Sequence, residues 1–351
     1  MQLGRIDRCQ EKEYLRIKDF LAQNELSMDR NILSFIVAYD EEGHILACGG
    51  IAPKIIKCVA VRSELRHTGL ALRLVGELIK LAYELGYPQL FVFTKPEYEQ
   101  QFYQCGFFTL ATARPHVILM ENSASRLHKQ CEYWRSLKVK GRHIGAIVMN
   151  ANPFTLGHRY LIEQAQEYCD HLHLFILQEE APPFSYRERF RLVEQGIADL
   201  SNISLHAGSD YIISKATFPT YFLKDTHIAE QSYPEIDLYL FRHYIAPALG
   251  ITRRFVGSEP LCPLTAQYNR SMSYWLAQAP IAAPPIEVIE IKRKEHDKAA
   301  ISASQVRALF RTKNWHRLET LVPAHTLRFL QDKGLSHENN TPRSRRLSGI
   351  E

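Results

Sequence analysis

The sequence predicts an α/β chain of two domains, an α+β domain followed by a doubly wound parallel sheet. The first observation is length, since 351 residues exceed one ordinary domain of about 100 to 200 residues. The second is that residues 1–120 read as a helix, several strands, a helix and more strands. The third is that strand and helix patterns alternate from residue 144, as is typical of a parallel sheet that binds ligands at the carboxyl ends of its strands.

The first domain is predicted to span residues 1–120. Its helices follow from apolar residues at helical spacing and its strands from short β-branched and aromatic runs. The predicted elements are a helix at 11–23, a hairpin at 32–39 and 45–51, a strand at 55–61, a helix reaching about residue 85, a strand at 91–93, a helix at 98–104 and strand-like residues at 107–120. We interpret the polar, basic segment 121–143 as a connecting helix that packs through Trp134.

The second domain is predicted at residues 144–335. Residues 144–149 form a nearly continuous apolar run, typical of a buried parallel strand, and helical spacing begins at Gly157. Further strands are predicted at 172–177, 203–205, 254–257 and 286–291, and further helices at 186–196, 237–248, 265–277 and 304–312. Residues 336–351 hold little that could be buried, so we expect a disordered tail.

The composition disfavours several classes of function. Lys and Arg number 43 against 38 Asp and Glu, and the net charge of +5 is spread along the chain, which disfavours nucleic-acid binding. Seven scattered cysteines without a Cys-x-x-Cys pair favour a reduced, cytoplasmic compartment. Neither a leader-like segment nor an apolar run of about 18 residues is present, so we expect neither secretion nor a membrane span.

The loop after the first strand of the second domain suits a phosphate. Thr155 and His158 stand where a helix begins, so free backbone N–H groups and the positive end of the helix dipole lie beside a hydroxyl and an imidazole. Thr155-x-Gly157-His158 resembles the (Thr/His)-x-Gly-His signature of the nucleotidylyltransferase superfamily, enzymes that break ATP or CTP between the α and β phosphates. Far downstream, Ile301-Ser-Ala-Ser-Gln-Val-Arg307 resembles the Ile-Ser-Ser-Thr-x-x-Arg motif of the same superfamily, and the order and spacing of the two motifs reinforce each other.

The superfamily resemblance implies a role for each motif residue. His158 and Thr155 act on the α phosphate, where negative charge develops, and Arg307 neutralises the leaving pyrophosphate. Mg²⁺ would bridge the phosphates without a dedicated protein ligand. The implied catalytic residues are His158, Thr155 and Arg307, and the implied ATP-binding residues are Asn152, Phe154, Gly157, Ser258, Ser302 and Ser304.

Other polar and basic residues fall near the same edge of the predicted sheet. Residues 257–259 end the fourth strand and residues 265–269 begin a helix, which is where an adenine or ribose would rest. Many superfamily relatives carry a histidine where this chain has Thr155, so at most one imidazole serves the transition state. Lys215, Lys292 and Lys294 are candidates for the missing cation, with a solvated lysine as the alternative.

A second phosphate-binding motif precedes the long helix of the first domain. Arg66-x-x-Gly69-x-Ala71 resembles the loop of the GNAT acetyltransferase superfamily in which backbone amides hold the pyrophosphate of coenzyme A. Residues 103–107 resemble a later helix-to-strand corner of that superfamily. The resemblance implies that Arg66, Gly69 and Ala71 bind a coenzyme arm, while ordinary turn glycines in a fold that has lost its site are the alternative.

A GNAT-like domain joined to a nucleotidylyltransferase domain with Asn152-Pro-Phe-Thr-Leu-Gly-His158 resembles the citrate lyase ligase family. The resemblance implies an AMP-forming acid–thiol ligase that uses ATP, Mg²⁺ and acetate. Its product would be the acetylated thiol of the coenzyme-A-like prosthetic group on the acyl carrier subunit of citrate lyase, formed through acetyl adenylate. Acetate is already ionised near pH 7, so its attack on ATP needs no general base.

Three other functions remain open on the residues alone. A phosphopantetheine adenylyltransferase would share both nucleotide motifs but would leave the first domain unexplained. An acetyl-CoA-dependent protein acetyltransferase would need no ATP, and a catalytically inactive scaffold would tolerate His158→Ala. Pyrophosphate release from ATP, measured with acetate, with phosphopantetheine and with neither, separates the four.

Overall fold

The computed structural model describes residues 1–29, 31–66, 68–179, 181–213, 218, 222–223, 226–259 and 263–339. Contacts between Cα atoms divide the chain into two compact units, each made of three segments. The first unit comprises Met1–Lys138, Tyr211–Leu249 and Tyr274–Pro284, and the second comprises Val139–Asp210, Gly250–Ser273 and Pro285–Glu351. The predicted boundary at residue 144 lies close to the first of these divisions, and two later segments return to the first unit.

The predicted strands and helices are present in the predicted order, and the structure adds elements that the sequence patterns did not predict. The strands are β1 (Gln2–Asp7), β2 (Ser34–Tyr39), β3 (Ile45–Ala52), β4 (Ile55–Val61), β5 (Phe91–Thr94), β6 (Phe108–Ala113), β7 (Val117–Glu121), β8 (Ile144–Met149), β9 (His171–Ile176), β10 (Ile203–Ala207), β11 (Arg253–Gly257), β12 (Glu287–Ile291), β13 (Glu295–His296) and β14 (Ala299–Ala300). The helices are α1 (Glu11–Gln23), α2 (Leu70–Glu84), α3 (Glu99–Gln104), α4 (Arg126–Ser136), α5 (Leu156–Gln166), α6 (Tyr186–Gly196), α7 (Thr226–Leu240), α8 (Ala246–Leu249), α9 (Pro263–Ser273), α10 (Ala303–Arg311), α11 (Trp315–Glu319) and α12 (Ala324–Asn339). The elements that the sequence patterns did not predict are β1, β13, β14, α11 and α12. π-Helical turns at Phe241–Ile245 and Tyr274–Gln278 follow α7 and α9 directly. Of the predicted tail, residues 336–339 belong to α12, and residues 340–351 lie outside the described residues.

The first unit is built on a seven-stranded sheet in the order β1-β2-β3-β4-β5-β7-β6. Its neighbouring strands are antiparallel except β4 and β5, whose parallel register consists of Ile55↔Phe91 and Ile56↔Val92. Strand β4 continues to Val61, so the two strands separate toward the end of β4 that leads to α2. A sheet that opens beside a helix start leaves room for a ligand at that corner.

Apolar residues at helical spacing bury α1 and α2 against this sheet. Leu74 and Leu78 of α2 are fully buried in one cluster with Ile56 and Val92. On α1, Ile17 belongs to a second cluster of buried residues. Fully burying one such side chain contributes about 1.5 to 3 kcal/mol, so these contacts account for much of the stability of the first unit.

A buried carboxylate connects residues 211–249 to the sheet of the first unit. Glu121, the last residue of β7, is fully buried, and the Tyr211 hydroxyl donates to its Oε1 at 2.9 Å. Arg126 Nη1 and Gln89 Nε2 donate to the same oxygen at 3.0 and 2.9 Å. Removing Tyr211 would take away one of these three donors and so weaken the attachment of the segment to the end of β7.

A buried arginine joins the two late segments of the first unit to each other. Arg242 donates from Nη1 to the carbonyl oxygens of Trp275 and Ala279, each at 2.9 Å. Its Nη2 and Nε donate to Ala283 and Pro284 at 3.1 and 3.2 Å. Residues 274–284 are therefore held by the segment that Tyr211 connects to the sheet.

The second unit has a five-stranded parallel sheet in the order β10-β9-β8-β11-β12. The chain moves outward from β8 to β10 on one side and then from β11 to β12 on the other. The strand order therefore reverses between β8 and β11, and the carboxyl ends of these two strands form the edge where ligands bind in folds of this type. The predicted doubly wound parallel sheet is confirmed.

A buried histidine pair lies on neighbouring strands of this sheet. His173 of β9 and His206 of β10 share a hydrogen bond between Nδ1 and Nε2 of 2.8 Å, and His173 is fully buried. Burial lowers the pKa of His173 to about 3, with a further contribution from His206, and lowers the pKa of His206 to about 4. Both rings are therefore neutral at pH 7.

In the described part of the chain, no helix combines the length and the apolar character that crossing a bilayer requires.

Candidate active site

Thr155 and His158 form a reciprocal cap at the start of α5. The Thr155 side chain accepts from the backbone N–H of His158 at 3.3 Å, and the Thr155 N–H donates to His158 Nδ1 at 3.1 Å. Two of the free N–H groups at the helix start are satisfied in this way. The cap fixes the orientation of the imidazole before any ligand arrives.

The cap also determines which nitrogen of His158 carries the proton. A backbone N–H can only donate, so Nδ1 accepts and the proton resides on Nε2. Burial lowers the pKa of His158 to about 4, and the positive charge of Arg293 lowers it further. At pH 7 the ring is a neutral donor through Nε2, which has no hydrogen-bond partner within the described ranges. A donor fixed in this way suits an oxygen on which negative charge develops.

The Phe154 ring supports the imidazole from beneath. It is fully buried and lies between His158 and His325, with ring centroids 5.9 and 6.2 Å apart. Gly196 makes room for it, since a Cβ there would come within 2.2 Å of the ring. Phe154 was predicted to bind ATP, but a fully buried ring cannot lie against a nucleotide, so its contribution here is to hold His158 in place.

The downstream motif packs directly against the first. Ser302 caps α10 by accepting from the Gln305 N–H at 3.1 Å, and a Cβ on Gly157 would lie 3.1 Å from the carbonyl oxygen of Ile301. Only a residue without a side chain allows this approach without displacement of the neighbouring backbone. Gly157 therefore brings the start of α10 next to the start of α5.

Arg307 completes the link between the two motifs. Its Nη1 donates to the backbone oxygen of Asn152 at 2.6 Å, and its Nη2 donates to Ser304 Oγ at 2.9 Å. Asn152 is buried, donates through Nδ2 to the Ala181 oxygen at 2.7 Å, and has no partner for Oδ1 among the described residues. The structure thus brings Asn152, Thr155, Gly157, His158, Ser302, Ser304 and Arg307 together at one edge of the sheet.

The ends of β11 and β12 bring a further arginine to this edge. The Arg293 N–H donates to Ser258 Oγ at 3.2 Å, and the Ser258 N–H donates to the Ile291 oxygen at 2.8 Å. The guanidinium of Arg293 pairs with Glu259. Asn269, in the segment predicted to face adenine or ribose, donates to the Gly257 oxygen at 3.1 Å. Ser258 therefore serves to join the two strand ends.

Arg293 is the basic residue that the sequence reading passed over. Of the three lysines considered as the missing cation, Lys292 is 83% exposed and pairs with Glu295, and Lys294 lies over the Tyr160 ring at 5.8 Å. Lys215 lies outside the described residues. Arg293 stands between the two described lysines, and its position beyond β12 was the available signal, because the carboxyl end of a strand is where ligands bind.

The corner in the first unit is more open than the one at β8. Gly69 caps α2 with φ of +80°, and nothing lies within 4 Å of where its Cβ would be. Arg66 is exposed, with Nε donating to the Val61 oxygen at 3.4 Å, and Ala71 is half-buried in the first turn of α2. The three predicted residues lie on one loop and turn, where free N–H groups can face a phosphate.

The residues at the second-unit site offer Mg²⁺ no protein cage. Within the described residues, the one group of three side chains that could hold a metal is Asp40, Glu42 and His44, which lies in the exposed turn between β2 and β3. Near His158 the available groups are hydroxyls, amides and guanidinium groups, and the one carboxylate described above, that of Glu259, is paired with Arg293. That donor set suits phosphate oxygens, and a magnesium ion there would be held chiefly by the phosphates themselves.

Two known protein families match this chain. Residues 144–330 match the family described as citrate lyase ligase C-terminal domain, and residues 3–107 match the acetyltransferase (GNAT) family. The first match extends from β8 into the first two turns of α12 and includes both nucleotide motifs. The second covers β1 to the end of α3 and includes the loop at Gly69. The predicted fold class, a GNAT-like domain and a nucleotidylyltransferase-like domain, is confirmed.

Curated relatives match along nearly the whole chain. A citrate pro-3S-lyase ligase of Haemophilus influenzae is 58% identical over 334 residues, covering 95% of this chain and 99% of the relative. One from Escherichia coli is 50% identical over 328 residues, covering 93% of each. A phosphopantetheine adenylyltransferase of Dehalococcoides mccartyi is 33% identical over 67 residues, which is 18% of this chain and 42% of the relative. The chain therefore belongs to the citrate lyase ligase family and is an enzyme of the ligase class.

Proposed function

We propose that the chain uses ATP and acetate to acetylate the thiol of a coenzyme-A-like group on the acyl carrier subunit of citrate lyase. The observation that carries the proposal is the contact of Arg307 with the loop that holds His158. It joins a neutral, oriented donor to a fixed positive charge at the reversal of strand order, which suits a nucleoside triphosphate. Relatives named citrate pro-3S-lyase ligase support the choice of carrier.

In the first step an acetate oxygen attacks the α phosphorus of ATP. The bond from that phosphorus to the bridging oxygen of the β phosphate breaks, and acetyl adenylate and pyrophosphate form. His158 Nε2 donates to a non-bridging oxygen of the α phosphate as charge grows there, and Arg307 with Ser302 and Ser304 holds the departing pyrophosphate. No residue has to remove a proton, because acetate is ionised already.

In the second step the carrier thiol gives up its proton and attacks the acetyl carbon. The carbon–oxygen bond to AMP breaks, a thioester forms and AMP leaves. A free thiol has a pKa of about 8.5, so a minor thiolate fraction is present at pH 7 and the step speeds up as pH rises. The six cysteines among the described residues are unpaired, which supports a reducing compartment such as the cytoplasm.

The first unit binds the coenzyme-like arm in this proposal. The open helix start at Gly69, the exposed Arg66 and the separation of β4 from β5 support it, since they offer N–H groups, a charge and space for an extended phosphate-bearing chain. Deletion of residues 1–120 would be a poor test, because it would remove most of the sheet to which Tyr211 and Glu121 connect residues 211–249. Those residues would then be exposed. Point variants at the loop leave the unit intact.

The function is tested by pyrophosphate exchange into ATP and by acetylation of purified citrate lyase carrier. Exchange that depends on acetate, together with AMP formation on carrier addition, is the expected result. Exchange that depends on phosphopantetheine instead would favour the adenylyltransferase, which the short match to the Dehalococcoides mccartyi enzyme makes the second candidate. Acetylation from acetyl-CoA without ATP would overturn the proposal.

A further inference from the structure

The strongest unassigned feature is the pair formed by Arg293 and Glu259 at the ends of β12 and β11. Glu259 is 6% exposed at its side chain and Arg293 is 27% exposed. Two charges held this far from water require a geometry that repays their desolvation. Here the pair stands at the ligand-binding edge, although the citrate lyase ligase function so far uses neither residue.

The backbone fixes Arg293 closely. Its N–H donates to Ser258 Oγ, and its side chain passes over Gly257, where a Cβ would lie 3.7 Å from Cγ and 3.8 Å from Nε. The following residue, Lys294, accepts the N–H of Ile301 at 3.0 Å, and the Ile301 oxygen faces Gly157. Arg293 is therefore part of the same packed edge as the His158 loop.

The guanidinium of Arg293 has N–H donors that its pairing with Glu259 does not use. In the described portion of the chain its side chain makes one hydrogen bond, from Nη2 to Glu259, which leaves the N–H groups of Nε and Nη1 for a ligand. Arginine presents these donors in a rigid plane that matches phosphate oxygens. The pairing with Glu259 limits where that plane can point.

The site also needs a charge in this position. His158 is neutral, so it can donate a hydrogen bond but cannot offset the negative charge of an α phosphate. Arg307 donates to Asn152 and to Ser304. Ser304 lies at the start of α10, which is the position proposed for the leaving pyrophosphate. A second cation beside the imidazole would complete the set of donors around the reacting phosphorus.

We propose that Arg293 contacts the α phosphate beside His158 and is a catalytic residue, and that Glu259 is the positioning residue that aims it. This proposal rests on the ATP-dependent function proposed above and assigns one step of it. The lysines on either side are not needed for that step.

The first test compares Arg293→Gln with Arg253→Gln. Arg253 pairs with Glu287 at 2.8 Å across the same two strands, β11 and β12, but at their opposite ends, so it is a matched control for the loss of one ion pair. Acetate-dependent pyrophosphate exchange should lose about 10²- to 10³-fold in kcat in Arg293→Gln, the loss typical of one transition-state donor, and stay within threefold in Arg253→Gln. Equal rates in the two variants would overturn the proposal.

Glu259→Gln separates positioning from contact. The amide keeps an acceptor for Arg293 but removes the charge, so kcat should fall about tenfold while KM for ATP changes little. A rise in KM with an unchanged kcat would assign the pair to ground-state binding and overturn the proposed role. The same variant should keep the melting temperature within a few degrees of wild type, which distinguishes positioning from folding.

A readout without substrate keeps this inference separate from the function on which it rests. Because a nearby positive charge lowers the pKa of an imidazole, His158 should titrate at a higher pH in Arg293→Gln than in wild type or Arg253→Gln, as followed by NMR. Identical His158 titrations would overturn the placement of Arg293. If wild type shows no acetate-dependent exchange, the proposed function fails, and the NMR comparison still decides where the guanidinium lies.

Discussion

The chain contains two corners where a strand leads into a helix whose start can face a phosphate, and they differ in how firmly they are built. At α5 the cap is reciprocal, the imidazole is oriented by Thr155, and Arg307 reaches in from a motif far along the chain. At α2 the cap is Gly69, the nearby Arg66 is exposed, and nothing lies within 4 Å of where a Cβ on Gly69 would be. Rigid placement is what catalysis requires, whereas an open corner suits reversible binding of an arm.

The largest expected effect comes from His158→Ala, which removes the oriented donor. Acetate-dependent pyrophosphate exchange should fall about 10²- to 10³-fold. His316→Ala, at an exposed histidine of α11, is the matched control and should leave the rate unchanged. Retention of at least a tenth of the wild-type rate in His158→Ala would show that the corner at α5 does not perform the chemistry.

Arg66→Gln tests the open corner. One exposed charge-assisted contact is worth about 1.4 kcal/mol, so KM for the carrier should rise about tenfold while pyrophosphate exchange without carrier stays at the wild-type rate. Arg114→Gln removes another exposed arginine of the first unit, one that pairs with Glu99, and serves as the control. If Arg66→Gln instead slows exchange, the two corners do not divide the work as proposed.

Alanine substitutions at Gly157 and Gly69 test the difference between the two corners, the first through a steric contact and the second through backbone strain. In Gly157→Ala the new Cβ meets the Ile301 oxygen at 3.1 Å, so the two motifs must move apart and exchange should slow several-fold. In Gly69→Ala there is room but φ is +80°, so we expect a strain cost of about 1 kcal/mol, a slightly lower melting temperature and a carrier KM raised two- to threefold. Reversed effects of the two variants on exchange and carrier KM would contradict the comparison.

The last expected effect is on stability rather than on activity, and it concerns pH and the buried histidines of the second sheet. The pKa values of His173 and His206 are lowered in the folded chain, so below pH 6.5 the unfolded chain takes up protons that the folded one does not. The free energy of unfolding should therefore fall by about 2 kcal/mol for each of the two histidines between pH 7.5 and pH 5. Urea titrations at both pH values measure it, and His206→Gln should show a smaller loss.

Much of the fold and of the site follows from local sequence patterns. The strand at 144–149 and the helix start at Thr155 depend on residues within a few positions of each other, and the structure has them where the patterns predict. The helix predicted from residue 304 begins one residue earlier, at Ala303, with Ser302 as its cap. The pairing of the two motifs also followed, because parallel strands end at a common edge.

Other features depend on contacts that no local pattern encodes. Phe154 is buried because Gly196, some forty residues further along the chain, leaves space for its ring. Residues 292–294 are all basic. Which of the three lies beside the His158 loop depends on where β12 ends and on how the chain then turns. The membership of residues 211–249 in the first unit depends on contacts distant in sequence, such as that of Tyr211 with Glu121.

That last contact has a consequence for how the protein is made. The first unit lacks its covering segments until residue 284 has left the ribosome, and by then four of the five parallel strands of the second unit have been synthesised too. The first unit therefore cannot complete its folding until most of the second unit has been synthesised. We expect a nascent chain stopped near residue 140 to bind chaperones or be degraded rather than to accumulate as a stable acetyltransferase-like fragment.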